Sequence, residues 1–519
     1  MFDLLIKNAR IIDGTGAPWY RGNIAVKDGK ITNNRQLTAE DAAEVFDAGD
    51  NYVCPGFVDI HSHSDDSILA HQLAESRIFQ GVTTEIGGNC GTSPAPVNPE
   101  YAHLLKRYIG GINIEWQSVK EYLNHVEKGK ISVNFGLLVG HGTIRVAVMG
   151  FSADKATPAQ ISQMRDYAAK AMEDGAFGLS SGLIYPPGSY ADTDELAEVA
   201  SAVAPYGGLY ATHMRNESAD VTGSVKESLD TAMRAGVPLQ ISHHKVTHRP
   251  DWRVSCKTTV AMIARARREG FDVTCDQYPY NASSTSLTSN VPHWAFEGGL
   301  DALIGRLKDP KTRTVLRDQA NNSHIGRWDC IYVSHLFGEK NQWMIGKNVV
   351  EIAKAQGKDT ADAVFDIIIE ENGEVGEVNF GMCDEDIEYI MSQPFTMIGS
   401  DGRAIPLSEG GKPHPRNFGT FPRVISHFCR ERKLFPLETA VAKMTSMPAA
   451  RLGLLDRGAI KDGMWADLVV FDFDAIKDTP TYERPQQQCE GILRVYVNGR
   501  LTAENGRHTG ALAGKVLRW

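Results

Sequence analysis

Apolar segments of β-type composition recur along the middle of the chain, and segments with helical patterning separate them. Between about residues 55 and 455, eight such segments end in polar or charged positions. Strands that alternate with helices form parallel sheets, so the pattern predicts a (β/α)8 barrel. The candidate strands lie at residues 55–63, 82–86, 133–141, 177–180, 209–213, 238–243, 273–278 and 396–401. The interleaved helical patterns include 158–174, which follows Thr157, and 193–203.

The two ends of the chain have a different pattern. Residues 1–54 and 456–519 contain short β-type runs that Asp-Gly turns interrupt, which is typical of hairpins. Isolated hairpins are marginally stable, so we expect both ends to form one small β-sandwich domain rather than two separate hairpins. The barrel would then occupy residues 55–455.

The distance between the seventh and eighth predicted strands is too long for a single crossover. Residues 294–347 combine helical and polar segments, with a possible extra hairpin at 330–334. Long connections in compact domains are usually functional or disordered. We interpret this segment as an insertion that covers the mouth of the barrel; a contact between subunits of a homo-oligomer is the alternative.

Composition restricts the possible partners. The chain has 519 residues, 42% of them hydrophobic, and a formal net charge of −10. This charge argues against nucleic acid or an anionic membrane as the main partner. The eight cysteines are widely and irregularly spaced, which is typical of reduced thiols rather than of a disulfide framework. The start of the chain has no signal-peptide pattern, and we expect a cytoplasmic protein.

The first predicted barrel strand ends in a His-x-His pattern. Alternate residues of a strand share a face, so His61 and His63 would point the same way, with Asp59 in line behind them. Two imidazoles on one face make half of a site for a zinc-like ion. The alternative is a polar strand end with two surface histidines, and further ligands elsewhere in the chain must decide between the two.

Other predicted strand ends supply such ligands. Cys90 follows the second strand in a glycine-rich turn, His213 and His243 end the fifth and sixth strands, and Asp401 ends the eighth. Thiolate, imidazole and carboxylate are the ligand types of zinc. Each residue alone has an ordinary structural explanation, but their joint position at one end of a barrel favours a metal centre.

The sequence leaves open the role of His141 and the choice between the adjacent His243 and His244. His141 also ends a predicted strand, and we interpret it as a residue that supports the ligands or faces the substrate. Spacing alone does not decide which of the adjacent His243 and His244 faces the interior.

Several motifs resemble the N-acyl-D-amino-acid deacylase (D-aminoacylase) family of the amidohydrolase superfamily, and the resemblance extends along nearly the whole chain. The motifs are PGFVDIHSH (55–63), GNCG (88–91), YPP (185–187), YATHMR (210–215), ISHHK (241–245), YPY (278–280), GSDG (399–402) and HPRNFGTFPR (414–423). The resemblance implies a (β/α)8 barrel with a β-sandwich built from both termini.

The resemblance also implies roles for individual residues. Cys90, His213 and His243 would hold a tightly bound Zn2+, His61 and His63 would form a second and weaker site, and Asp401 would be the catalytic acid and base. The expected substrate-binding residues are Lys245, Tyr278, Ser284 and Arg416, which would hold the α-carboxylate, together with Tyr185 and Arg215.

The activity implied by the resemblance is hydrolysis of a small-molecule N-acyl-D-amino acid to a carboxylate and the free D-amino acid. After the seventh strand come the apolar residues Leu287, Val291, Pro292, Trp294 and Phe296. If they line the pocket, N-acetyl derivatives of hydrophobic D-amino acids are the expected substrates; the alternative is that they pack the insertion.

Two other functions compete with this one. The nearer alternative is a cyclic amidase or dipeptidase of the same superfamily, but the turn around Cys90 and the presence of Lys245 argue against it. A non-catalytic barrel that serves in assembly is the second, and the retention of all the ligands argues against that.

Overall fold

The computed structural model describes residues 1–32, 42–109, 111–324 and 326–519, and strands alternate with helices through its middle. The strands are β1 (Phe2–Ile11), β2 (Tyr20–Lys27), β3 (Lys30–Thr32), β4 (Ala42–Asp47), β5 (Tyr52–Pro55), β6 (Phe57–Asp59), β7 (Val82–Gly87), β8 (Asn134–Leu137), β9 (Val139–Gly140), β10 (Gly178–Gly182), β11 (Leu209–His213), β12 (Leu239–Ile241), β13 (Val273–Gln277), β14 (Ser283–Ser286), β15 (Ile331–His335), β16 (Gly376–Asn379), β17 (Thr396–Ile398), β18 (Leu468–Phe471), β19 (Ile492–Val497), β20 (Arg500–Glu504) and β21 (Arg507–His508).

The α-helices are α1 (Ser67–Ala70), α2 (Glu75–Ile78), α3 (Ala102–Tyr108), α4 (Val119–Gly129), α5 (His141–Met149), α6 (Pro158–Glu173), α7 (Thr193–Ser201), α8 (Val221–Ala235), α9 (Ser255–Arg268), α10 (Leu300–Lys308), α11 (Pro310–Ser323), α12 (Val349–Gln356), α13 (Thr360–Glu370), α14 (Asp384–Met391), α15 (Arg416–Arg423), α16 (Leu437–Met444) and α17 (Ser446–Arg451). A π-helical segment, Val424–Glu431, continues directly from α15. Within the part of the chain that the structure describes, no helix has the length and apolar character needed to cross a bilayer.

The barrel consists of parallel strands at all the predicted positions. β6, β7 and β8 pair in order, and β9, β10, β11, β12, β13 and β17 form the remainder. Leu138 alone separates β8 from β9, so the third strand belongs to both sheets. A parallel bridge between Ser62 and Gly402 joins the first strand to the eighth and closes the circle. The protein is therefore a (β/α)8 barrel, as the alternation of patterns predicted.

The barrel helices begin where local sequence signals place them. Thr157 caps α6 through a reciprocal capping box with Gln160, and Pro158 occupies its first turn. Asp192 accepts a hydrogen bond from the backbone of Glu195 and caps α7. Both helices start at the predicted residue and end at most two residues before the end of the periodic pattern, which is the usual uncertainty of helix ends.

The two ends of the chain meet in one nine-stranded sheet. β5 from the N-terminal part pairs antiparallel with β18 from the C-terminal part, through Val53 and Val470 among others. Their apolar faces pack in a separate core that includes Ile6, Val26 and Leu468. β5 ends at Pro55 and β6 begins at Phe57, so the chain passes from this β-sandwich domain into the barrel almost at once.

The connection between the seventh and eighth barrel strands forms a unit with its own core. β14, β16 and β15 make an antiparallel sheet in that order, and α10, α11, α12 and α13 lie between them along the chain. The unit is longer than the expected 294–347 segment. β15 pairs with the distant β16, so the expected local hairpin at 330–334 was wrong.

The apolar residues that follow the seventh barrel strand pack inside this unit. Leu287 and Val291 are buried in its core, and Phe296 packs against that core. Trp294 is 41% exposed, and its indole donates a hydrogen bond to Gln319. The apolar pattern is therefore accounted for by packing, and the expectation that this segment lines a pocket for hydrophobic side chains loses its basis.

Candidate metal centre

Four ligand-type side chains converge at the C-terminal edge of the barrel strands. One ligand atom from each of His61, Cys90, His243 and Asp401 lies within 4.8 Å of all the others. The Cys90 Sγ is 3.4 Å from His61 Nε2 and 3.3 Å from His243 Nε2. An Asp401 oxygen lies 3.6 Å from His61 Nε2. All four residues are buried, so the chain concentrates a thiol, two imidazoles and a carboxylate where little water can reach them.

A second set overlaps the first. His213, Glu217 and His243 bring their ligand atoms within 4.8 Å of one another, so His243 belongs to both sets. The His213 and His243 rings are 4.4 Å apart, centroid to centroid. The resemblance grouped His213 with Cys90 and His243; in the structure His213 lies beside His243 and Glu217, and it also interacts with the Cys90 thiol. His63 stands beside the first set, with its Nε2 3.0 Å from Asp401 Oδ1.

The backbone is unusual at three of these positions. Cys90, His243 and Asp401 have φ angles of 53°, 33° and 52°, in the left-handed region that non-glycine residues rarely adopt. The turn at Cys90 also needs a neighbour without a side chain, because a Cβ on Gly91 would lie 2.5 Å from the backbone nitrogen of Gly182. The fold thus tolerates local strain that brings these side chains together.

A carboxylate behind the cluster fixes two of its members. Asp276 Oδ1 lies 3.1 Å from His61 Nδ1 and accepts a 2.8 Å hydrogen bond from the backbone N–H of His243. The same carboxylate accepts a hydrogen bond from Gln240 through its other oxygen. Hydrogen bonds to the outer nitrogen of a ligand histidine set its tautomer and orientation. Sequence patterns marked Asp276 only as part of a strand.

The structure resolves the choice between the adjacent histidines. His243 faces Cys90, whereas His244 is buried with its Nε2 2.9 Å from the Thr259 hydroxyl on α9. Burial lowers the pKa of His244 to about 4, so its ring stays neutral. His141 lies elsewhere: its Nε2 is 3.0 Å from Glu195, in a buried network that also includes Arg145. These contacts support neither of the two roles considered for His141.

The electrostatics favour the anionic forms of the thiol and the carboxylate. Burial opposes ionisation of Cys90, but the neighbouring charges of His243 and His61 outweigh it and hold the pKa of the thiol well below its ordinary value. Burial also opposes ionisation of Asp401, and the Arg416 guanidinium, with a hydrogen bond from His63, holds its pKa well below the ordinary range. Thiolate and carboxylate are the forms that bind metal.

The cluster fits a zinc ion by the chemistry of its donors. Sulfur, nitrogen and oxygen ligands are those of zinc. Both ring nitrogens of His213 are buried and make no well-formed hydrogen bond among the residues that the structure describes, although Nε2 lies 3.4 Å from Glu217 Oε2. Buried polar atoms without a partner are costly, and a metal ligated by one of these nitrogens would remove that cost. The donor set and the unsatisfied imidazole together indicate a metal site.

The predicted substrate-binding residues surround Asp401 in part. Arg416 lies with its Nη1 2.8 Å from Asp401 Oδ2, and its Nη2 donates to the Ser284 carbonyl at 2.9 Å. Its guanidinium lies 5.0 Å above the Tyr278 ring. The Tyr278 hydroxyl is buried and has no hydrogen-bond partner within the described residues. The Ser284 hydroxyl donates to the carbonyl of Glu377, so Ser284 reaches the site through its backbone.

The other predicted binding residues differ in how they are engaged. The Tyr185 ring packs 5.1 Å from His213, and its hydroxyl lies 3.0 Å from that of Thr285 in β14. Arg215 donates to Glu227 and to the carbonyls of Ser189 and Ala191. Arg215 thus connects α8 with the loop after the fourth barrel strand, and the expectation that it binds substrate has no support in this geometry.

Lys245 lies against the second ligand set. Its ammonium is 2.6 Å from Glu217 Oε1 and 2.7 Å from His243 Nδ1, and it donates to the His243 carbonyl at 3.0 Å. Glu217 was missed from the sequence. Its position four residues after His213 was the one available signal, and that spacing has no special meaning in a loop.

The fold and the site together define a metal-dependent hydrolase whose active centre lies at the C-terminal edge of a (β/α)8 barrel. The chain belongs to the Amidohydrolase family, whose model matches residues 44–503. It is 37% identical over 519 residues to a D-aminoacylase of Alcaligenes xylosoxydans xylosoxydans, covering 99% of this chain and 97% of that protein.

Two solved structures show the same likeness over full chain lengths. A D-aminoacylase studied for its binuclear metal centre has 35% sequence identity and a TM-score of 0.85, with 100% of both chains covered. An N-acyl-D-glutamate deacylase of Bordetella bronchiseptica, complexed with zinc and a phosphonate mimic of the tetrahedral intermediate, has 32% identity and a TM-score of 0.84, again with 100% of both chains covered.

Proposed function

We propose that this protein hydrolyses N-acyl-D-amino acids to a carboxylate and the free D-amino acid, with Zn2+ as its cofactor. The observation that carries the proposal is the buried convergence of Cys90, His61, His243 and Asp401 at the mouth of the barrel. The similarity to D-aminoacylase and to N-acyl-D-glutamate deacylase over the full chain supports both the reaction and the metal.

We assign the tightly held zinc to Cys90, His213 and His243, and a weaker second site to His61 and His63. Zinc, when bound, supplies Lewis acidity that polarises an acyl carbonyl and makes water nucleophilic near neutral pH. The Cys90 thiol lies 3.3 Å from His243 Nε2 and 3.4 Å from His61 Nε2, so the two assigned sites adjoin at this residue. Asp276 keeps the His61 ring and the His243 backbone in place from behind.

Asp401 is the proposed general base and acid. It would take a proton from the attacking water and pass it to the leaving amine, a role that contributes about 10²–10⁴-fold to rate in enzymes. Its two carboxylate oxygens have different partners: Oδ1 lies 3.0 Å from His63 and Oδ2 lies 2.8 Å from Arg416. These contacts fix the plane of the carboxylate with respect to the ligand cluster.

The substrate carboxylate would be held by the cations of Arg416 and Lys245 and by the Tyr278 hydroxyl. Arg416 is 6% exposed and Lys245 is 4% exposed, so both charges act in a low-dielectric setting. The unpartnered Tyr278 hydroxyl is a buried donor available to an anionic or carbonyl oxygen. Tyr185 packs beside His213 and would border the same pocket. Fixing the α-carboxylate at one end would hold the amide beside the ligand cluster in an orientation suited to attack.

The decisive experiment combines metal analysis with a stereochemical screen. Purified protein is assayed for zinc and then incubated with racemic N-acetyl-amino acids that carry apolar, polar or acidic side chains. We expect bound zinc and release of the D-amino acid, resolved by chiral chromatography. Release of the L-amino acid alone, or hydrolysis of a cyclic amide or dipeptide instead of the N-acetyl-amino acids, would refute the proposal. Bound zinc without any hydrolysis would favour the alternative of a non-catalytic barrel that serves in assembly.

We also propose that the protein works in the cytoplasm on a small-molecule substrate, without nucleic acid or membrane as a partner. Formation of a homo-oligomer stays a prediction. All eight cysteines are buried free thiols, which suits a reducing compartment. The net charge of −10 supports the absence of a polyanionic partner. Fractionation of the native host cell and sedimentation of the purified protein test these points.

A further inference from the structure

The backbone and side chain of Glu217 are held in place between Lys245 and the two imidazoles of the second ligand set, His213 and His243. Its side chain is 10% exposed. Its backbone carbonyl accepts two hydrogen bonds from Thr247, from the amide at 2.7 Å and from the hydroxyl at 3.0 Å. The next residue, Ser218, donates its amide to the Asn216 side chain. The loops after the fifth and sixth barrel strands therefore fix the backbone of Glu217 from both sides.

The carboxylate of Glu217 contacts three functional groups at once. Oε1 lies 2.6 Å from the Lys245 ammonium and 3.0 Å from His243 Nδ1, and Oε2 lies 3.4 Å from His213 Nε2. His243 presents its other nitrogen, Nε2, to Cys90. Glu217 is thus on the outer side of the His243 ring, where a carboxylate orients a ligand histidine.

The same geometry argues that Glu217 is not itself a metal ligand. A cation held by its Oε1 would stand beside the Lys245 ammonium, which is 2.6 Å from that oxygen. Two cations in a buried site repel strongly because the dielectric is low. The ammonium donates to Glu217 and to the His243 carbonyl, and a His243 ring that ligates through Nε2 carries its proton on Nδ1, which lies 3.0 Å from Glu217 Oε1. Glu217 therefore offsets a buried positive charge next to the metal centre.

We propose that Glu217 is a positioning residue of the metal centre: it orients the His243 ring towards the metal and neutralises Lys245 beside it. This inference rests on the proposed assignment of His243 as a zinc ligand. It has two consequences. Loss of the Glu217 charge should weaken metal binding, because the unbalanced Lys245 ammonium then repels the metal. Removal of that ammonium in the same molecule should restore part of the affinity.

The test uses Glu217→Gln, Lys245→Met and the double variant. Zinc affinity is measured by competition with a chromophoric chelator, and the cobalt-substituted proteins are compared by absorption spectroscopy, both without substrate. We expect Glu217→Gln to lose about 10–100-fold in zinc affinity and to show altered cobalt bands. The double variant should bind zinc at least about 5-fold more tightly than Glu217→Gln, which would demonstrate coupling between the two side chains.

Glu195→Gln is the matched control. Glu195 is even more deeply buried, with 3% of its side chain exposed against 10% for Glu217. It also contacts a histidine and a cation, His141 and Arg145, but it lies on α7 and belongs to neither ligand set. We expect this variant to unfold more easily yet to keep the zinc affinity and cobalt spectrum of the natural protein. Glu217→Asp, which keeps the charge, should recover more affinity than Glu217→Gln and guards against misfolding of the latter.

Two results would overturn the proposal. One is a zinc affinity for Glu217→Gln within about 2-fold of the natural protein; the other is a double variant that binds zinc no better than Glu217→Gln. These measurements do not depend on the substrate. A natural protein that binds zinc but releases no D-amino acid would refute the proposed function while leaving the role of Glu217 to be judged by its own data.

Discussion

Arg77 and Arg145 are the largest fully buried side chains of the described chain, and replacement of Arg77 offers a stringent test of how the site is supported. Its Nη1 lies 3.1 Å from Asp59 Oδ2 and donates to the Ser400 hydroxyl at 2.8 Å, and its Nη2 donates to the carbonyl of Asn417. Asp59 in turn accepts hydrogen bonds from the backbone amides of His61 and Ser400. One guanidinium therefore joins the ends of the first and eighth barrel strands.

The expected cost of Arg77→Met follows from burial. Both partners of the ion pair are 0% exposed, so the variant leaves the Asp59 carboxylate in the interior without its counter-charge. Removing one member of a buried pair costs about 3–5 kcal/mol. Burial already raises the pKa of Asp59, and the charge of Arg77 opposes that rise. We therefore expect Asp59 to take up a proton in the variant and the free energy of unfolding to fall by that amount.

The assay is urea unfolding of the metal-free proteins, followed by tryptophan fluorescence. Arg165→Met serves as the control, because Arg165 and its partner Glu198 are 47% and 54% exposed. Exposed pairs contribute about 0–1 kcal/mol, so the control should unfold close to the natural protein. If Arg77→Met shifted the unfolding midpoint no more than Arg165→Met does, the argument from the buried pair would be refuted.

Other predictions concern the metal, the chemistry and pH. Cys90→Ala should lose stoichiometric zinc, because it removes the thiolate ligand; full zinc content by atomic absorption would contradict the assignment. Asp401→Asn should keep its zinc and lower kcat by at least about 10²-fold, and near-normal turnover would exclude Asp401 as the base. A variant with both His61 and His63 changed to Ala should keep one zinc, and loss of all metal would reverse the order of the two sites. Burial raises the pKa of Glu377 from 4.5 to about 8, so between these pH values the folded protein retains a proton that the unfolded chain releases. The free energy of unfolding should therefore fall as pH rises from about 4.5 to about 8, by up to about 1.4 kcal/mol per pH unit. In Glu377→Gln this pH-dependent contribution should disappear from urea unfolding curves measured across that range.

The barrel was predictable because its signals are local and repeated. Each strand is a short apolar run, and the helices start at recognisable caps such as Thr157 and Asp192. The closure of the barrel and the identity of its catalytic end follow once the strands are parallel. His61, His63, Cys90, His243 and Asp401 were all placed at that end on this reasoning, and the structure brings four of them within contact distance.

The supporting residues were not predictable from local patterns, because their roles arise from contacts between distant segments. Asp276 contacts the ring of His61, which lies 215 positions away in the chain, and Arg77 donates a hydrogen bond to Ser400, which lies 323 positions away. For Arg215, by contrast, the local motif suggested a role in substrate binding that its contacts do not support. It stands two residues after His213 in a motif, yet its donors are taken by Glu227 and two carbonyls, a partnership that only the packing of α8 reveals.

The division of the ligands between two metal sites depends on still finer geometry. Strand register places His213 and His243 at one edge, but it does not say which of them faces Cys90. In the structure, Cys90 and His243 both have left-handed backbone, the thiol lies 3.4 Å from His61 and 3.3 Å from His243, and His213 Nε2 lies 3.4 Å from Glu217. Because a positive φ in a non-glycine residue is stable only when its surroundings enforce it, this feature belongs to the assembled barrel rather than to the motif. If Glu217 has the role proposed above, the left-handed backbone at His243 and the Glu217 carboxylate would act together: the backbone would position the His243 ring, and the carboxylate, 3.0 Å from Nδ1, would leave Nε2 as the nitrogen that faces the metal site.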